Sequence, residues 1–195
     1  MDERIRQQLA FILEIDKVKN IYRKTHLSNN GKRENDAEHS WHIAIMAYLL
    51  KEYSNEDIDI GKVMIMCLIH DVVEIYAGDT FAYDRDALKT QKARENDAKE
   101  KIFSLLPEEQ KEEFIALFDE FEECLTPEAR FARVMDHLQP LLLNSSNEGL
   151  DWKENNVRAK QVYDRQSKVK LGSIKLYDVI DNILQDNIKK GHLKE

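Results

Sequence analysis

The sequence predicts an all-α fold, a single irregular helical bundle, and three observations carry that reading. Apolar residues recur at three- and four-residue spacings along nearly the whole chain, and strand-like alternation is almost absent. Glycine (6) and proline (3) are scarce among 195 residues, so little interrupts the helical pattern. Helix starts are also written out: Asn35 or Asp36 followed by Glu38, then Pro107-Glu108-Glu109, then Thr126-Pro127-Glu128.

In chain order, the first helix is expected from about Asp2 to Arg23, followed by a polar loop from His26 to Arg33. The second starts near Asn35 or Asp36 and carries Trp41, Ile45, Met46, Leu49 and Leu50. Residues Lys62 to Tyr76 are apolar on nearly every side until His70, the pattern of a central buried helix. Gly78-Asp79-Thr80 ends it, and Phe81 to Asp86 form a loop placed to cover a site. A charged amphipathic helix spans roughly Arg85 to Leu106, and the next runs from Pro107 to about Cys124. The Thr126 start opens a helix that carries Asp136 and ends near Asn144 to Asn147. Beyond Gly149, helices are expected over Lys153 to Lys170 and Ile174 to Lys189, packing on the core or at a subunit contact. About seven or eight helices of such unequal length and polarity do not make a regular four-helix arrangement.

Composition narrows the functional classes. A hydrophobic content of 42% suffices for one core, so residues 1–195 are read as one domain. The formal net charge of −8, without a long block of either sign, argues against a nucleic-acid partner, which needs a cationic face. A small phosphorylated substrate needs only a local cluster. Two cysteines, Cys67 and Cys124, make neither a disulfide framework nor a thiolate metal site, in keeping with a reducing cytoplasm. The N-terminus lacks a basic start and apolar run, and no apolar stretch approaches the roughly 18 residues of a membrane span. Cytoplasmic localisation without membrane insertion is the expectation.

The chemistry is expected around His70-Asp71, at the end of the most apolar stretch. Burying an imidazole beside a carboxylate is costly unless a charge compensates it, and a divalent cation would do so. If residues 62 to 76 are helical, Glu74 follows His70 by four and Asp71 by three, which puts all three on one side. His39, early in the preceding helix, and Asp136, within Phe131 to Leu138, are further polar breaks in apolar faces. Two imidazoles and two carboxylates would leave coordination positions open for water and a substrate oxygen.

The order His39, His70-Asp71, Asp136 resembles the HD-domain phosphohydrolase superfamily over roughly residues 10 to 145. The strings from Asn35 to His42, His70 to Thr80 and Thr126 to Phe131 resemble one branch of it. That branch contains the bacterial 5′-deoxynucleotidases and the HD-domain-containing protein 2 type, which act on deoxyribonucleoside 5′-monophosphates. The resemblance implies the HD-domain fold, with His39, His70, Asp71 and Asp136 as metal ligands and Glu74 as the catalytic carboxylate. It implies a pocket-rim role for Asp79 toward sugar or water, and a phosphate-binding arginine upstream of His39. Arg23 fits that arginine by position and Arg33 by closeness. The bacterial deoxynucleotidases place an aromatic residue directly after the arginine, which helps exclude ribose, whereas Lys24 follows Arg23 here, so deoxyribose selectivity is left open.

Trp41 is read as a core residue, and His42 and His137 as supporting or surface residues, so one metal ion is expected. Two nitrogen and two oxygen donors suit manganese, cobalt, iron, nickel or zinc better than magnesium. The expected activity is release of phosphate from (deoxy)ribonucleoside 5′-monophosphates by attack of a metal-bound water. Alternatives are hydrolysis of an alarmone or another phosphorylated metabolite, or a non-catalytic metal- or nucleotide-binding module. The Gly-Tyr-Pro companion motif of cyclic-dinucleotide hydrolases is absent. Relatives in the branch are commonly dimers, which implies a homodimer.

Overall fold

Ten α-helices and one short β-hairpin build the chain in this computed structural model, which describes residues 2–195. The all-α class expected from the periodicity holds, with local departures where the site is made.

The first helix is shorter than its pattern suggested. α1 covers Glu3–Ile15, a 3₁₀ turn continues over Asp16–Asn20, and the chain then extends into β1, Tyr22–His26. β2, Arg33–Asn35, pairs with it antiparallel, Tyr22 opposite Asn35 and His26 opposite Arg33. The end of the expected helix and the edge of the expected polar loop thus form a hairpin, and extended backbone brings Arg23 inward while Tyr22 and Lys24 face out. Asn147 clips the hairpin tip, accepting from the Asn30 N–H (2.9 Å) and donating to the Leu27 carbonyl (2.9 Å).

α2, Asp36–Leu50, starts as predicted. Asn35 accepts from the Glu38 N–H at 2.9 Å and Glu38 accepts from the Asn35 N–H at 3.1 Å, a reciprocal capping box. Its inner face buries Ile43, Ala44, Met46 and Ala47, while Trp41, Ile45, Tyr48 and Leu49 lie exposed. Trp41 at 63% exposure corrects its assignment to the core.

The apolar run from Lys62 does not stay one helix. α3 covers Ile60–Ile69; the chain then tightens through His70 to Val73 and resumes as α4, Glu74–Ala77. The Val72 N–H bonds the Ile69 carbonyl (3.1 Å) and the Glu74 N–H the Asp71 carbonyl (2.9 Å), three-residue steps typical of 3₁₀ turns. α4 ends at Gly78, whose φ of +76° suits glycine.

α5 (Leu88–Phe103), α6 (Glu108–Glu123) and α7 (Pro127–Ser146) match the predicted segments, α5 with trimmed ends. The helix expected over Lys153 to Lys170 divides into α8 (Leu150–Glu154), α9 (Ala159–Gln166) and a 3₁₀ turn at Val169–Leu171. α10 covers Ile174–Lys189. Gly172 lies against α7 so closely that a Cβ there would fall 2.6 Å from the Arg130 carbonyl oxygen.

Two apolar clusters form the interior. One joins Ile43, Val63, Met66, Phe131 and Met135 to Leu176, Ile180 and Leu184, so the C-terminal helix completes the core. The other gathers Phe11, Val73, Ile102, Phe103 and Phe118. The stretch from α3 to α4 gives Met66 and Cys67 to the first and Ile69, Val72 and Val73 to the second. His70-Asp71 therefore sits at the seam, held from both sides. Truncating a fully buried ring there, such as Phe131 or Phe103, costs about 3–5 kcal/mol.

Candidate metal centre

Three helices converge on one buried point. His39 comes from the first turns of α2, His70 caps α3, and Asp136 lies mid-way along α7. His39 Nε2 is 3.3 Å and His70 Nε2 3.8 Å from Asp136 Oδ1, and one donor atom from each residue lies within 4.8 Å of the others. Asp71 stands beside this trio, its Oδ1 3.0 Å from His70 Nε2 and its Oδ2 4.0 Å from His39 Nε2.

The far side of each imidazole fixes what the near side offers. His70 Nδ1 lies 2.9 Å from the Cys67 carbonyl, which can only accept, so Nδ1 carries the proton and Nε2 its lone pair. His39 Nδ1 faces Gln139 Oε1 at 3.0 Å, while Gln139 Nε2 donates to Glu34 Oε1 at 2.6 Å, which sets the amide's orientation. Both rings thereby direct Nε2 at the carboxylates, the arrangement of metal-ligating histidines with outer hydrogen-bond partners. His70 Nε2 is buried and makes no hydrogen bond, an orphan that a cation would satisfy. Charge points the same way. Burial and Arg23 lower the pKa of His39, yet Asp136, Glu34 and Asp71 together hold it at about 9, so a positive charge is favoured here. The donor set fits a divalent transition metal.

Carboxylates dominate the adjoining wall. Glu74, Asp36 and Asp79 each bring an oxygen within 4.8 Å of the others. Burial, then the charges of Asp71, Asp36 and Asp79, raise Glu74 well above the usual carboxylate range. Burial and Asp71 push Asp36 up to about 7, and burial raises Asp79. Arg23 lies among them with its Nη1 2.7 Å from Asp71 Oδ2 and 3.5 Å from Asp36 Oδ1. Burial opposes its charge, but Asp71, Glu74 and Asp36 secure it.

A cavity of about 150 Å³ opens onto the cluster, lined by Arg23, Lys24, Glu74 and Asp79 and by Phe81 and Tyr83 of the covering loop. Of the residues named from sequence, His39, His70, Asp71, Asp136, Glu74, Asp79 and Arg23 gather here. Arg33 does not: its guanidinium holds the Lys24 carbonyl at 2.9 Å and Glu154 at 3.3 Å on the outer side of the hairpin. His42 Nδ1 supports Gln139 at 3.2 Å, and His137, pushed down to about 3 by burial and Arg165, stands neutral in the cavity wall. Sequence reasoning missed Glu34, Asp36 and Gln139. Gln139 follows Asp136 by three residues, a spacing that places it on the same helical side.

The HD domain family model matches residues 15–176. The human protein 5′-deoxynucleotidase HDDC2 is 28% identical over 160 residues, covering 82% of this chain and 76% of the human one. Escherichia coli 5′-deoxynucleotidase YfbR is 28% identical over 122 residues, 58% of this chain and 61% of its own. Among solved structures, a Magnetospirillum magnetotacticum protein described as a predicted metal-dependent phosphohydrolase is 44% identical with a TM-score of 0.95. The match covers 98% of this chain and 96% of that one.

Proposed function

This chain belongs to the HD domain family, and we propose that it is a metal-dependent phosphohydrolase that releases phosphate from (deoxy)ribonucleoside 5′-monophosphates. The observation that carries this reading is the convergence of two imidazole Nε2 atoms and Asp136, with the buried Glu74 beside them. The deoxynucleotidases among its relatives support the substrate class.

In this reading His39, His70, Asp71 and Asp136 hold one divalent ion, with manganese, cobalt, iron, nickel or zinc favoured over magnesium by the nitrogen donors. The ion when bound lowers the pKa of water and draws charge from the phosphoryl oxygens. Glu74 takes a proton from the attacking water as the new P–O bond forms, and returns it to the sugar oxygen as the ester P–O bond breaks. Its environment, which favours the protonated carboxyl, suits the second half of that exchange. Asp79 at the cavity edge accepts from a sugar hydroxyl or a water, and Arg23 orients Asp71 while facing the substrate. Lys24 stands where the bacterial deoxynucleotidases carry an aromatic residue, so ribose and deoxyribose monophosphates are both candidate substrates.

The test is phosphate release from a panel of deoxy- and ribonucleoside 5′-monophosphates by metal-stripped protein re-supplied with manganese, cobalt, zinc or magnesium, beside Glu74→Ala. Turnover restored by metal and lost in the variant is the expected outcome. Metal binding without release from any monophosphate would overturn the nucleotidase reading and favour an alarmone, another phosphorylated metabolite or a binding module. The exposed stripe Trp41, Ile45, Tyr48 and Leu49 on α2 gives the homodimer expected from resemblance a face, and light scattering checks it.

A further inference from the structure

Arg23, the cation that the sequence brings forward for a phosphate, reaches the cavity already matched. Three buried carboxylates surround it: Asp71 at 2.7 Å, Asp36 at 3.5 Å and Glu34 at 3.8 Å. A phosphomonoester brings between one and a half and two further negative charges, roughly, and needs cations with free donors.

The opposite wall supplies them. Asp136 divides its carboxylate: Oδ1 faces the two histidines, while Oδ2 lies 3.6 Å from Arg133 Nη1, 3.9 Å from His137 Nε2 and 4.0 Å from Arg165 Nη2. Arg133 is held from behind. Its Nη2 donates to Glu122 at 2.8 Å and to the Phe121 carbonyl at 3.2 Å, and its guanidinium lies 4.0 Å from the centre of the Phe121 ring. That anchoring leaves Nη1 on the cavity side. The side chain of Arg165, from α9, makes no hydrogen bond among the described residues, and its one carboxylate neighbour within 4.0 Å is Asp136 itself. Its side chain is 30% exposed and lines the cavity, so all its donors are available at the point where the metal cluster meets open space.

We propose that Arg165, with Arg133 beside it, binds the phosphoryl group of the substrate across the metal cluster from Arg23. The C-terminal segment, which lies outside the region where the ligands are spaced, then supplies part of the substrate site. The forked guanidinium suits two phosphoryl oxygens at once, which a lysine cannot match. This inference rests on the phosphomonoester reading for the identity of the ligand, and inorganic phosphate probes it separately from turnover.

The experiment measures calorimetric binding of inorganic phosphate to the manganese-loaded protein for wild type, Arg165→Ala, Arg165→Lys and a control on the outer face of the same helix, Lys160→Ala. Manganese affinity and kcat and KM for a monophosphate are measured in parallel. Arg165→Ala is expected to weaken phosphate binding about 10- to 100-fold, as loss of a charge-assisted pair implies. Its cost in turnover falls mainly on KM, and Arg165→Lys lies between. Manganese affinity in both variants, and phosphate binding in Lys160→Ala, stay within about twofold of wild type, far below one tenfold step in binding free energy. Wild-type phosphate binding that Arg165→Ala leaves unchanged overturns the proposal, as does loss of manganese together with phosphate, which would show Arg165 acting through Asp136. Arg165-dependent phosphate binding in a protein that hydrolyses no monophosphate keeps this proposal and removes the nucleotidase reading. Turnover untouched by either Arg165 substitution does the reverse.

Discussion

The unbroken α7 and the interrupted stretch from α3 to α4 deliver groups to the same point by opposite means. α7 runs for 20 residues and offers Asp136, with Gln139 one turn on supporting His39 from behind. The α3–α4 stretch gives up its helical ladder after Ile69 and places His70, Asp71 and Glu74 within five residues. In a 3₁₀ turn residues three apart eclipse, so Asp71 and Glu74 come into line, where an α-helix, advancing about 100° per residue, would leave them about 60° apart on the same face. A continuous rod provides one ligand candidate and its brace; a break concentrates candidate groups at a cost in backbone regularity.

That contrast can be broken by substitution, beginning where the loss should be greatest. Asp71→Ala removes a ligand candidate and the nearest partner of Arg23 together. Metal affinity should fall by more than the roughly 100-fold expected of an outer-sphere change, with phosphate release lost, as metal content and turnover would record. Glu74→Gln keeps the shape of the break, so metal content should stay while kcat drops about 10²- to 10⁴-fold. Loss of the metal in that variant would make Glu74 a ligand and erase the division of labour within the break. On the rod, Gln139→Ala leaves all four ligand candidates but frees the His39 ring. Metal affinity should fall about 10- to 100-fold, with near wild-type kcat once metal is saturating. Gly78→Ala probes the backbone alone. With φ at +76° and ψ at 147°, alanine should cost about 1–3 kcal/mol in denaturant unfolding although space for its Cβ is open.

The same contrast explains what could be read beforehand. α7 was legible because Thr126-Pro127 writes its start and Asp136 interrupts an apolar face. The α3–α4 break was not, because Val72, Val73 and Ile75 continue the apolar run and no glycine or proline marks the change before Gly78. The ligand candidates were still found, since a histidine or carboxylate in an apolar run is conspicuous whichever helix type carries it. The hairpin escaped notice because Tyr22 to His26 is short and polar and draws its order from the carboxylates that Arg23 meets. Arg33 is close in sequence to His39, but its guanidinium is taken up by the Lys24 carbonyl and Glu154 on the outer side of the hairpin, which sequence distance does not show. Glu34 gave no signal because a carboxylate in the polar stretch Gly31 to Glu38 looks like surface until its partners are known, whereas Gln139, in an apolar run three residues after Asp136, could have been found by its spacing. Arg165 lay in a helix that sequence spacing set outside the signature.

Pro140 carries a consequence for how α7 opens. It lies inside the helix, four residues after Asp136, and has no N–H to give the Asp136 carbonyl. The ladder that would tie the two halves of α7 across this point therefore lacks the rung at Asp136. Amide exchange should then resolve α7 into two segments with separate opening free energies, one before Asp136 and one after Pro140. If Asp136 is a metal ligand as proposed, metal binding should slow exchange in both at once and make the helix exchange as a single unit.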